Sequence, residues 1–168
     1  MKKKLFLFCF CSLALIVFAE KKAGKPDKAD LKTGIERLDE FFNLFKEKRI
    51  GLITNQTGID SLGRSSVEIV YEKTNLSSLF SPEHGIRGNA REGAGISNTV
   101  DKKTGLTVYS LYGKTKRPTK EMLQEIDVLC FDIQDVGARF YTYIYTMAYA
   151  MEACARDGKT FVVFDRPN

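Results

Sequence analysis

The sequence predicts an α/β fold in which a doubly wound, mostly parallel sheet carries helices on both faces. Three observations lead there. From residue 32 onward, strand-like and helix-like stretches alternate, the order that builds parallel βαβ units. The strand stretches are nearly continuous apolar runs, as in "RIGLITN" and "DVLCFDI", which suits strands covered on both sides. Four of the strand stretches also run straight into polar, reactive residues: "TNQTG", "SPEHG", "FDIQDVGAR" and "FDRPN". In a doubly wound sheet those residues arrive at one edge, beyond the carboxyl ends of the strands, where such folds bind ligands. The layout is Rossmann-like.

Each element follows from local pattern. In "TGIERLDEFFNLFKEK" the apolar residues at 35, 38, 41, 42 and 45 form a helical stripe,, and Thr33 with Glu36 fits a capping box. "RIGLITN" is a buried strand ending at Asn55, followed by turn chemistry in "NQTGIDSLGRS",. "SSVEIVYEK" is a short helix and "LSSLFSP" a second strand that runs into Glu83. A long glycine-rich loop spans 85–105, and "LTVYSLY" is a third strand. Thr119 is placed to cap a helix over "TKEMLQEI",. "DVLCFDI" is a fourth strand. "ARFYTYIYTMAYAMEACARDG" is a long helix stopped by Gly158,, and "TFVVFDRPN" is a fifth strand.

The first nineteen residues stand apart. "MKKK" is a basic segment and "LFLFCFCSLALIVFA" an apolar one of signal-peptide length, with Val17 and Ala19 as the small residues before a cleavage site,. The expected organisation is a signal segment over 1–19, a polar linker over 20–31 and a Rossmann-like unit over 32–168. Export to the periplasm or beyond follows from that reading, with an uncleaved anchor as the alternative. Loss of Lys2, Lys3 and Lys4 takes the formal charge from +5 to +2, so basicity offers no case for nucleic-acid binding. No membrane contact is expected beyond the signal segment. Cys130 and Cys154 remain, and nothing suggests a small stapled scaffold, so both are expected as buried free thiols.

The candidate chemistries narrow quickly. "GIRGNAREGAG" has the wrong spacing for a dinucleotide fingerprint, and no Walker motif is present,. No cofactor is expected. With one histidine, a histidine-built zinc site is nearly excluded,; a hard cation on Asp132, Asp135 and Asp165 is the alternative, and no metal is assigned. No nucleophile elbow occurs. Carboxylate chemistry remains, as in glycoside hydrolysis, where one carboxylic acid protonates the leaving oxygen and a second group supports the oxocarbenium-like centre.

Glu83 lies at a strand end, with His84 beside it, and Asp132, Asp135 and Asp165 come from strand ends able to face it. Arg139 and Arg166 offer forks for a substrate carboxylate. Tyr141, Tyr143 and Tyr145 offer stacking faces or hydroxyls. Asn55, Gln56, Arg87 and Gln134 lie on the same edge as further substrate contacts. Every one has a structural alternative. Asp132 serves as well in capping a turn, His84 in bonding a carbonyl, Arg166 in closing a chain turn, and part of the tyrosine stripe must be core.

In order, "GLITNQTG", "SPEHGIRG", "TGLTVYSLYGKT", "DVLCFDIQDVGARFYTY" and "FDRPN" resemble the segments that mark the exo-β-N-acetylmuramidase (DUF1343) family. The resemblance runs from about residue 48 to the end. It implies a Rossmann-like domain followed by a smaller C-terminal domain, with the active site in the cleft between. It implies release of N-acetylmuramic acid from the non-reducing end of peptidoglycan fragments, so that the partner is a peptidoglycan-derived saccharide or muropeptide. Glu83 of "PEHG" is then the lead catalytic carboxylate, with His84 and Asp132 as its companions. Family members run to well over twice this length, so the expectation is an N-terminal part, truncated before the remaining sheet and the C-terminal domain. The alternatives are a non-catalytic muropeptide-binding remnant and an unrelated cofactor-binding domain.

Overall fold

The computed structural model describes residues 31–88 and 98–167. The expected signal segment, nearly all of the linker, the 89–97 part of the long loop and Asn168 lie outside the described residues.

The strands are β1 (Arg49–Thr54), β2 (Asn75–Ser81), β3 (Thr99–Val100), β4 (Thr107–Ser110), β5 (Val128–Asp132) and β6 (Thr160–Val163), and the α-helices are α1 (Ser66–Lys73), α2 (Lys120–Gln124) and α3 (Tyr143–Arg156). They form one six-stranded sheet in the order β3-β4-β2-β1-β5-β6. Every pairing is parallel except β3 with β4. The predicted doubly wound α/β fold is therefore the observed one. The chain moves outward from β1 through β2 to β4, then crosses back to β5 on the other side of β1. The strand order reverses between β1 and β5, and that is where a crevice opens beyond the strand ends.

The core lies on both faces of the sheet. One cluster joins Ile35, Leu38, Ile50, Leu52, Val70 and Cys130, and the other joins Ile53, Phe80, Leu123, Leu129, Ala150 and Cys154. Ile50 and Leu52 face one side and Ile53 the other, as strand alternation requires. Cys130 and Cys154 are free and buried, as expected. Burial pushes both thiols up, Cys154 to about 11, so neither is a ready nucleophile.

Three elements differ from the sequence reading. The first helix is a 3₁₀ helix over Gly34–Leu44, with a non-helical residue at Phe41 (φ −113, ψ 20). The capping box is present: the Thr33 amide donates to Glu36 Oε2 at 2.7 Å and the Thr33 hydroxyl at 2.9 Å. The start of the segment is pinned as well, because the Gly34 amide donates to the Asp165 carbonyl at 2.7 Å. A Cβ on Gly34 would collide with the Asp165 backbone nitrogen. From that anchor the kink lets Phe45 rejoin the core alongside Ile35 and Leu38.

The second difference is β3, in a stretch read as loop. It is two residues long and both are exposed, so it leaves no periodic signal. The third is α3, which begins at Tyr143 rather than near Ala138. Asp135 Oδ2 accepts the Gly137 amide at 2.9 Å and the Ala138 carbonyl accepts the Tyr141 amide at 3.0 Å. Two turns thus occupy residues that looked helical. The helix ends as expected, with Gly158 at φ +65 and the Lys159 amide donating to the Cys154 carbonyl at 2.8 Å, the closure that favours glycine. Thr119 caps α2, accepting from the Met122 amide.

Candidate functional site

The ends of β1 and β5 are stitched together by side chains. The Thr54 hydroxyl donates to the Asp132 carbonyl at 2.8 Å. Asn55 Oδ1 accepts the amide and the hydroxyl of Thr57, at 2.9 and 2.6 Å, and the Thr57 oxygen in turn accepts the Gln134 amide at 2.9 Å. This leaves Asn55 Nδ2 buried without a hydrogen-bond partner among the described residues, although the Asn55 side chain lies close enough to Tyr143 to favour the phenolate. A buried donor left open at a crevice is a group for which a ligand acceptor is a natural partner.

Glu83 and His84 occupy a tight turn at the end of β2. The Gly85 amide donates to the Pro82 carbonyl at 3.1 Å, and His84 sits at the third position with φ 68. A left-handed third residue is normally glycine or asparagine, and a residue with a Cβ there costs about 1–2 kcal/mol. Strain of this kind persists where the surrounding structure holds it, often at sites of function. His84→Gly should therefore stabilise the fold, by about 0.5 kcal/mol once the greater freedom of glycine in the unfolded chain is offset. If thermal unfolding shows the variant less stable, the imidazole supplies more to the fold than its backbone costs.

The turn carries Glu83 to the start of α3. Thr142 donates its hydroxyl hydrogen to Glu83 Oε2 at 3.0 Å. Thr142 is the N-cap residue of α3, yet its side chain makes no capping bond to its own helix. A cap of that kind contributes about 1 kcal/mol, and here the hydroxyl holds a carboxylate instead. Next to it, Tyr143 is buried. Burial first, and then the nearby Glu83 and Tyr141, raise its phenol above the ordinary range, so it stays a neutral donor at neutral pH.

Asp132 is wholly buried. Arg166 grips it in a fork, Nε to Oδ1 at 2.6 Å and Nη2 to Oδ2 at 2.9 Å, and Nη2 also reaches the Ile59 carbonyl at 2.9 Å. Burial pushes the Asp132 carboxyl up against the opposing pull of Arg166 and Ser66. Arg166 lines a cavity of about 240 Å³ with Gln134, Asp135, Tyr143 and Asp165.

The structure therefore gathers Glu83, Asn55 and Tyr143 at the crevice, and Gln134, Asp135, Asp165 and Arg166 beside it. Of the rest, His84 sits beside Glu83 in the turn, Tyr145 lines a cavity with Thr142, and the others lie apart. Arg87 is paired with buried Asp101 at 2.9 Å. Gln56 is exposed, with its amide against Gly88. Arg139 is exposed in the turn before α3, so its predicted place at a helix start is corrected. Tyr141 likewise precedes the helix, half-exposed, with its ring centroid 6.2 Å from that of Tyr143. Asp132 is committed to Arg166 and is not free to face Glu83. Among the described residues, no three of His, Cys, Asp and Glu converge as a metal site.

The sequence profile described as "Exo-beta-N-acetylmuramidase NamZ, N-terminal" matches residues 50–168. The chain belongs to this NamZ N-terminal family. It is 49% identical, over its whole length, to the peptidoglycan beta-N-acetylmuramidase NamZ of Bacillus subtilis (strain 168), of which it spans 43%. Two crystal structures of DUF1343 family proteins from Bacteroides fragilis resemble it. One has a TM-score of 0.74 and 53% identity, the other 0.68 and 38%, and each match covers 82% of this chain and 35% of the other.

Within the NamZ N-terminal frame, two side chains that the sequence reading passed over become prominent. Thr142 was placed inside a helix, where a threonine carries no signal, and only the later start of α3 reveals it as an N-cap residue. Thr57 was part of generic turn chemistry, yet it joins Asn55 to the backbone after β5.

Proposed function

We propose that the chain is the N-terminal part of a glycoside hydrolase that releases N-acetylmuramic acid from the non-reducing end of peptidoglycan fragments, with Glu83 as its general acid. The observation that carries this reading is the grip of Thr142 on Glu83 at the edge of the sheet where the strand order reverses. One carboxylate oxygen is held by the hydroxyl, so the carboxyl plane is oriented and the other oxygen is available to substrate. In its acid form Glu83 gives its proton to the glycosidic oxygen as the bond to C1 breaks, and the leaving sugar departs as an alcohol. Water adds to C1, and its proton passes to Glu83 or to a second carboxylate across the cleft. Asp132 plays no such part: it fixes Arg166, which floors the neighbouring cavity. Tyr143 and Asn55 offer polar groups in the crevice beside Glu83. An exported protein, as the apolar N-terminal run leads us to expect, meets this substrate where it lies.

The test is product identification. The chain, extended to the length of its relatives, is incubated with fragments ending in N-acetylmuramic acid or in N-acetylglucosamine. Mass spectrometry should detect free N-acetylmuramic acid from the first and no sugar from the second. Retention of tight muropeptide binding with no release would move the reading to a non-catalytic binding protein.

A further inference from the structure

We infer that the cavity between the end of β4 and the first turns of α3 is the subsite that reads the acidic substituent of the sugar, with Lys116 as the counter-ion of its carboxylate. This deepens the proposed function and rests on it. The cavity has a volume of about 230 Å³ and is lined by Tyr112, Lys116, Thr142, Tyr145 and Tyr149, among others. That is below the roughly 300–1,000 Å³ of sites for drug-sized ligands, and suits one sugar ring rather than a chain.

Three features bring a muramic acid rather than a neutral sugar to this cavity. First, Thr142 is shared: it lines the cavity and holds Glu83 at 3.0 Å. A ring seated against Thr142 is therefore next to the proposed acid. Second, the lining is aromatic, and tyrosine presents an apolar face with a polar rim, the combination that suits the C–H faces and hydroxyls of a sugar. Third, the cavity holds an uncommitted cation. Arg117, in the same loop, already lies over the Tyr149 ring at 4.4 Å and pairs with Glu152 at 3.0 Å. Lys116 makes no hydrogen bond or ion pair among the described residues. Its ammonium is a compact charge on a flexible stem. N-acetylmuramic acid differs from N-acetylglucosamine by a lactyl ether that ends in a carboxylate, so charge complementarity selects it. Neither Arg139 nor Arg166, the two arginines read as forks for a substrate carboxylate, lines this cavity.

The chain contains no tryptophan and seven tyrosines, three of which line the cavity, so part of its tyrosine fluorescence comes from the subsite. The full chain is titrated with N-acetylmuramic acid and with N-acetylglucosamine. The parent should prefer N-acetylmuramic acid. Lys116→Met should weaken that sugar about tenfold, the size of one charge-assisted hydrogen bond, and leave N-acetylglucosamine unchanged. Lys116→Arg should keep the preference. Equal binding of the two sugars by the parent, or an unchanged preference in Lys116→Met, overturns the subsite. So does loss of preference in Arg139→Met alone. Sugar discrimination that persists in a protein unable to hydrolyse any muramide would sink the proposed reaction and leave the subsite standing.

Discussion

Glu83→Gln should lower turnover of a β-N-acetylmuramide by ~10²–10⁴-fold, the usual contribution of a positioned general acid, while the fold stays intact. The substitution keeps the shape of the side chain. The glutamine carbonyl still accepts from the Thr142 hydroxyl, so the Pro82–Gly85 turn and the start of α3 keep their tie. What is lost is the transferable proton. Steady-state kinetics beside a thermal unfolding curve reads both effects. Turnover within about threefold of the parent would remove Glu83 from the acid role, whereas lost activity with a lowered melting temperature would assign it a structural one.

Arg166→Leu should cost the fold about 3–5 kcal/mol, because it strands a fully buried carboxylate. Asp132 is 0% exposed, the Arg166 side chain is 8% exposed, and the fork between them closes the end of β5 against the segment after β6. The direction with pH follows. Without the guanidinium, burial holds the Asp132 pKa above its unfolded value, so ionisation opposes folding at neutral pH. The deficit therefore shrinks as pH falls and the carboxyl protonates. Urea unfolding near pH 7 and again near pH 4 separates this from simple loss of packing, which would not depend on pH. Asp132→Asn in the Arg166→Leu background should restore a large part of the loss at neutral pH. A cost below about 1 kcal/mol for Arg166→Leu would mean that the pair adds little beyond what it loses in desolvation.

Arg166 and Asp132 also show what the sequence makes legible. Alternation of apolar strands with helices was enough to expect the parallel sheet, because burial on both faces leaves continuous apolar runs such as Ile50–Ile53 and Val128–Phe131. The same pattern placed Glu83, Asn55 and Gln134 on one edge, since strand ends in such a sheet share a direction. Pairing between side chains was not legible. Asp132 read as a companion of Glu83, but the fork from Arg166 requires the return of β6 alongside β5, a contact 34 residues apart in the chain. Arg87 read as a substrate contact and is instead the partner of Asp101, which carried no motif. The start of α3 was misplaced because residues 138–142 have helical composition, while the turn made by Asp135 and Gly137 overrides it. That displacement hid Thr142, the side chain that holds Glu83.

On this reading, the Glu83 edge of the sheet cleaves a muramic acid glycoside. The most direct test is hydrolysis of a chromogenic β-N-acetylmuramide by the chain extended to the length of its relatives, run beside the same protein carrying Glu83→Gln. Chromophore release by the parent and its near-complete loss in the variant is the predicted result. Equal release by both proteins, or none from either when both are folded, would contradict it.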